Sequence, residues 1–107
     1  MPVRTIDDPI LHRFCAALHE LYGDRIERVV LYGSRARGDH QPDSDYDIAV
    51  FLYEFFDRWQ ELERIIPIVT EILYENEAFI HVLPYRAGAY RDRTSLMREI
   101  RREGVDL

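Results

Sequence analysis

The stretch from Gly33 to Asp47 restricts this chain more than any other, because it joins two strand patterns through a turn that ends in paired acids. Ile26-Glu-Arg-Val-Val-Leu-Tyr32 reads as a strand that stops at Gly33-Ser34. Asp45 to Leu52 reads as a second strand. Its period of two puts Asp45, Asp47, Ala49 and Phe51 on one face and Tyr46, Ile48, Val50 and Leu52 on the other. Between them lies a polar stretch containing Gly38, Asp39 and Pro42.

The chemistry follows from those residue types. Gly33 lacks a Cβ, so backbone can approach a ligand there. Ser34 and the N–H groups after it would start a helical turn, which binds anions through free N–H groups and its dipole. Arg35 and Arg37 add positive charge nearby, or pair as solvated charges with Asp39 or Asp43. Asp45 and Asp47, two apart on one strand face, can converge on one point. Side by side they repel, and a divalent cation removes that conflict. Mg²⁺ suits such a place, taking a carboxylate or two while substrate phosphates complete its shell. Two rival motifs fail on particular residues. Gly33 and Gly38 have P-loop spacing, but Asp39 and His40 stand where Lys and Ser/Thr are required. Asp43, Asp45, Asp47 and Glu54 match an EF-hand loop at positions 1, 3, 5 and 12, yet Ile48 occupies the sharp-turn position that needs Gly.

With its D-x-D following Gly33-Ser34 after ten residues, GSRARGDHQPDSDYDIAV resembles the polymerase-β-like nucleotidyltransferases. It is most similar to the minimal nucleotidyltransferases that pair with HEPN-domain proteins in toxin–antitoxin systems. The resemblance implies that Gly33 and Ser34 hold the phosphates of ATP, with Arg35 or Arg37 supporting the leaving pyrophosphate. It also implies that Asp45 and Asp47 are catalytic and bind Mg²⁺, and that AMP passes to a hydroxyl of a partner protein. Active members supply a third carboxylate from a later strand. The candidate strand, Ala78-Phe-Ile-His-Val-Leu83, has no Asp or Glu, and His81 takes that position by element order. His81 is therefore read as catalytic, or as an inward hydrogen-bonded sheet histidine. Glu77 lies four residues earlier, about 13 Å away at strand rise. The rival reading is a catalytically degenerate module of the same fold that neutralises its partner by binding it.

The rest of the chain reads as follows. A helix runs from Pro9 to Tyr22, with Asp8 as N-cap, Gly23 beyond its end and Ile10, Phe14, Leu18 and Leu21 on one face. A second spans about Phe56 to Glu75, with Leu62, Ile65, Ile66, Val69, Ile72 and Leu73 inward and Pro67 kinking or splitting it. Pro84 ends the third strand. A last helix covers Ser95 to Glu103, and Gly104 with a Val105–Ile100 contact suggests a Schellman stop. Tyr53, Phe55, Phe56 and Trp59 are expected to pack in the core, with any exposed part marking a partner surface. This order predicts an α/β (α+β) fold, a small mixed β-sheet flanked by helices, as one nucleotidyltransferase domain over residues 1–107.

Composition sets the outer bounds. Net charge is −6, and all 14 basic residues are Arg. An acidic domain is poorly suited to neutralising phosphates along a nucleic acid, so no direct nucleic-acid contact is expected. The longest apolar run, Ile48–Tyr53, is far short of the roughly 20 residues of a membrane span. Residues 1–10 show no hydrophobic leader, and Cys15 is alone, so a cytoplasmic protein is expected. Homo- or hetero-oligomers both remain open.

Overall fold

The computed structural model describes residues 7–107. The leaderless reading of residues 1–10 falls largely on residues 1–6, outside the described residues.

Helix α1 runs Pro9–Tyr22 as predicted, and the Asp8 carboxylate accepts from the Ile10 N–H at 2.8 Å. Its buried side chains are Leu11, Phe14, Leu18 and Tyr22. The expected face is therefore rotated: Leu21 is exposed and Ile10 only half-buried. Tyr22 replaces Leu21 because its ring reaches the core while its hydroxyl donates to the Glu61 carbonyl at 3.4 Å.

A 3₁₀ turn at Gly23–Arg25 leads into β1, Ile26–Tyr32. A one-turn helix, α2 (Ser34–Arg37), follows, and then β2, Tyr46–Leu52. Helix α3 is Arg58–Asn76 and β3 is Ile80–Arg86. After a 3₁₀ turn at Ala89–Arg91 come α4, Ser95–Glu103, and β4, Val105–Asp106. The four strands form one sheet in the order β3-β2-β1-β4. β1 is antiparallel to β2 and β4, and β2 is parallel to β3, so the sheet is mixed as expected.

The alternation of β2 divides the core in two. Tyr46, Ile48, Val50 and Leu52 pack with Phe14, Leu18, Ile65 and Ile72 beneath α1 and α3. Ala49 and Phe51 pack with Val30, Met97 and Ile100 beneath α4. By parity, Asp47 lies on the α4 face, near the start of β2, and is half-buried.

Several boundaries differ from the sequence reading, each for a local reason. Pro67 does not split α3, which runs through it. Pro67 and Glu63 are both exposed, so water reaches the carbonyl that the proline leaves without a donor. Buried positions on α3 are Ile65, Ile72 and Glu61, whereas Ile66 and Leu73 are exposed. Pro84 does not end β3, because β3 is an edge strand and its missing N–H points away from β2. The Pro84 carbonyl on that outer side accepts from Arg58 Nε at 3.2 Å. Helix α4 is capped by Thr94, but Gly104 is extended (φ −71°, ψ 151°) and makes no Schellman turn. Glycine is needed there for space, since a Cβ would collide with the Ile100 carbonyl and the Val30 side chain. Among the aromatics near the α3 start, Phe56 is 87% exposed and Trp59 74%, so only Phe55 joins the core. No helix among the described residues is long and apolar enough to cross a membrane.

Candidate functional site

Gly33 is the hinge of the site. Its φ of +75° and ψ of −158° lie in a region open essentially to glycine alone. Its carbonyl accepts from the N–H groups of Ala36 and Arg37, at 3.1 and 3.0 Å. Gly38, left-handed at φ +89°, closes the turn by donating to the Ser34 carbonyl at 2.9 Å. Gly33 is thus the N-cap and Ser34 the first helical residue, with no side-chain cap bond. The N–H groups of Ser34 and Arg35 open the turn and have no intrahelical acceptor.

Asp47 sits on β2 between Tyr32 of β1 and His81 of β3. A Cβ on Gly33 would lie 2.5 Å from Asp47 Oδ2. The space that glycine leaves is therefore taken by a carboxylate of the protein itself, which brings the acid against the α2 turn. Parallel pairing sets His81 level with Asp47, and His81 Nδ1 is 3.4 Å from Asp47 Oδ1. Their side chains are 55% and 33% exposed, so both reach solvent. Asp45 is on the exposed lead-in to β2, with no hydrogen bond or ion pair to another described residue.

The two arginines are bonded within the protein. Arg35 donates from Nε to the Ser44 carbonyl at 2.9 Å and from a terminal nitrogen to the Pro42 carbonyl at 3.0 Å. Its guanidinium stacks over the Tyr46 ring at 4.0 Å. It braces the loop that delivers Asp45. Arg37 bonds Asp39 at 3.1 Å and Glu103 at 3.0 Å, tying α2 to α4. These contacts hold the Glu103 carboxyl below its usual range. Neither guanidinium neutralises Asp45 or Asp47.

Two residues around the acids were missed from sequence. Tyr32 has its phenol pushed up to about 12, first by burial and then by Tyr85, Asp47 and Glu99. Burial near Asp47 thus favours the neutral phenol. Its one sequence cue was its place as the last strand residue before Gly33. Asp8 was read only as a helix cap. Its second oxygen accepts from the Tyr46 hydroxyl at 2.6 Å, anchoring α1 to the strand that bears Asp47.

Among the described residues, no group of three or more His, Cys, Asp and Glu side chains is gathered in metal-binding geometry. Glu77 ends α3 in a left-handed conformation and is exposed, so it supplies no acid to β3. The donors do fit a divalent cation in kind. Asp45 has no competing cation, and Asp47 has only the imidazole of His81 for company.

Comparison with known proteins agrees with this geometry. The model of the nucleotidyltransferase domain family matches residues 11–101. A Methanocaldococcus jannaschii protein, assigned by inference as a protein adenylyltransferase, is 28% identical over 98 residues, 92% of this chain and 95% of that relative. A crystal structure of a toxin–antitoxin with AMP-PNP superposes with a TM-score of 0.59 at 18% identity, over 87% of this chain and 68% of that one. A mutant of the MntA–HpeT toxin–antitoxin gives 0.61 at 16% identity, over 96% and 72%. At those identities the two structures are likenesses of fold.

Proposed function

The chain belongs to the nucleotidyltransferase domain family, as a minimal nucleotidyltransferase, and from that premise we propose that it transfers AMP from ATP to a hydroxyl of a partner protein. Asp45 and Asp47 would hold Mg²⁺, which when bound neutralises charge on the phosphate oxygens. The N–H groups of Ser34 and Arg35, at the Gly33 hinge, hold the pyrophosphate end of the nucleotide. The acceptor oxygen forms a bond to the α-phosphorus as the bond to the bridging oxygen breaks. Pyrophosphate departs, and the hydroxyl proton passes to water. His81, level with Asp47, completes the catalytic set in place of a third acid. Arg35 and Arg37 act by shaping the loop and turn.

The observation that carries this reading is the Asp47 carboxylate seated in the space left by Gly33, free of any guanidinium. The inferred adenylyltransferase assignment of the relative supports adenylyl transfer to protein. The toxin–antitoxin neighbours support a partner, for which a HEPN-domain protein is our choice. Exposed Phe56, Trp59, Ile66 and Tyr74 supply apolar surface for such a partner. On this reading residues 1–107 work as one cytoplasmic domain.

Incubation with Mg-ATP and the product of the neighbouring gene should add the mass of AMP to that product. Asp45→Asn with Asp47→Asn should abolish transfer and leave the complex intact. A second reading, a module that neutralises by binding alone, is favoured by one observation: β3 presents His81 where a carboxylate is needed. Neutralisation that survives the double substitution would establish it.

A further inference from the structure

The proposed transfer is the premise here, because its in-line geometry fixes where the acceptor stands. The attacking oxygen enters opposite the departing pyrophosphate. Helix α2 follows β1, Asp47 is on β2 and His81 on β3, and these strands are neighbours in that order. With pyrophosphate at α2, the acceptor enters over β3. The face of β3 that carries exposed His81 continues through half-buried Leu83 to half-buried Tyr85. Tyr85 lies about 13 Å beyond His81 at strand rise.

A cavity of about 430 Å³ opens beside Tyr85, a volume in the range of ligand-binding pockets. Phe55, Tyr85 and Met97 give it apolar walls, and Arg58, Arg86 and Asp92 give it charge. Arg58 is held in place there. Its Nε donates to the Pro84 carbonyl at 3.2 Å, and its guanidinium lies 4.9 Å from the centre of the Tyr85 ring. Its two terminal nitrogens have no hydrogen-bond partner among the described residues. Arg86 has one contact, with Asp92 at 3.5 Å. The loop that contributes Asp92 also carries Arg91 and Arg93, both exposed, with neither side chain paired among the described residues. Four arginines against one acid in the cavity and this loop make a positive patch on a chain of net charge −6.

We infer that this cavity is a specificity pocket for the acceptor protein. It takes an apolar side chain with a carboxylate beside it, about four extended residues from the hydroxyl that receives AMP. The walls bury the apolar part, and the free fork of Arg58 takes the carboxylate. A nucleic-acid strand would satisfy the arginines and leave the apolar walls uncovered.

The test has two arms. Random peptides displayed on phage are selected on the wild type, on Arg58→Gln and on Arg86→Glu, each confirmed as folded by its melting curve. The wild type should enrich Phe, Leu or Met beside Asp or Glu. Arg58→Gln should lose that enrichment, and Arg86→Glu should shift it towards Lys or Arg. In the second arm, AMP transfer to the product of the neighbouring gene is measured. Arg58→Gln should raise the KM for that protein about tenfold, the usual effect of losing one charge-assisted hydrogen bond, while the KM for ATP holds. Peptides without acidic enrichment, the same enrichment on all three proteins, an unchanged KM for the acceptor, or displacement of the selected peptide by a single-stranded oligonucleotide would overturn the inference and leave the proposed function standing. Absence of transfer by the wild type, with the acidic enrichment intact, would sink the proposed function and spare the pocket.

Discussion

Gly33→Ala separates the local geometry from general stability. The substitution acts twice. First, φ +75° with ψ −158° is a conformation that alanine adopts only under strain, costing about 1–3 kcal/mol. In a chain of 107 residues each kcal/mol lowers the melting temperature by about 4–8 °C. Second, the new methyl group would stand 2.5 Å from Asp47 Oδ2, whereas ordinary contact begins at 3.4 Å. The carboxylate must retreat by about 0.9 Å, and a misplacement of about 1 Å at a reacting centre costs on the order of 100-fold in rate. Gly38→Ala is the matched control. Gly38 also has positive φ, at +89°, but a Cβ there meets nothing within 4 Å. Both variants should melt earlier, Gly33→Ala by the larger margin, because Gly38 lies in the left-handed region that other residues can enter whereas the Gly33 conformation is open essentially to glycine alone. Only Gly33→Ala should lose AMP transfer by about two orders of magnitude, measured well below either melting point with radiolabelled ATP. Equal activity losses in the two variants would refute the claim that the glycine exists to admit the carboxylate.

Other outcomes follow from the same structure. Asp8→Ala removes the N-cap of α1 and leaves the Tyr46 hydroxyl without its acceptor, so urea denaturation should show a loss of about 2 kcal/mol. Arg25→Ala strips the buried Glu61 of a guanidinium 3.4 Å away and frees the Tyr53 and Glu54 carbonyls. It should cost about 3 kcal/mol, the low end for a broken buried pair, because Arg64 remains near Glu61. Tyr32 and Tyr46 have folded-state phenols pushed up to about 12 from an ordinary 10.0. The neutral phenol is the form the fold favours, so this stability is complete below pH 10 and drains away as pH climbs from 10 towards 12. Phenolate absorbance at those two tyrosines, isolated with Phe variants, should therefore rise together with loss of circular dichroism; early phenolate formation in the intact fold would contradict it.

Legibility from sequence depended on how local the cause was. Pro9, Asp8 and Gly23 bound α1 through neighbouring backbone, and its ends were read correctly. The parity of β2 was legible because an extended backbone sends successive side chains to opposite faces whatever they are, and it placed Asp47 opposite the α1 and α3 core. The rotation of α1 towards Tyr22 depended on a carbonyl 39 residues away and left no local trace. The two-residue β4 is too short for any pattern, and Pro84 could pass through a strand only because that strand has an open side. At the site, the residue types were visible and the contacts were not. Arg35 and Arg37 looked available for phosphate, yet their partners include the Ser44 carbonyl and Glu103, which sequence spacing does not bring near. The level placement of His81 and Asp47 was available only as an element-order guess until strand direction was known.

The outer border of β3 has a consequence for how the protein behaves when crowded. A bare sheet margin templates the addition of passing chains, and aggregation begins there. Pro84 removes one amide from that margin and Arg58 occupies the carbonyl beside it, so the middle of the ladder offers an incoming strand neither rung. Replacing Pro84 with valine would restore the missing donor and make concentrated solutions of the protein prone to fibrous precipitation.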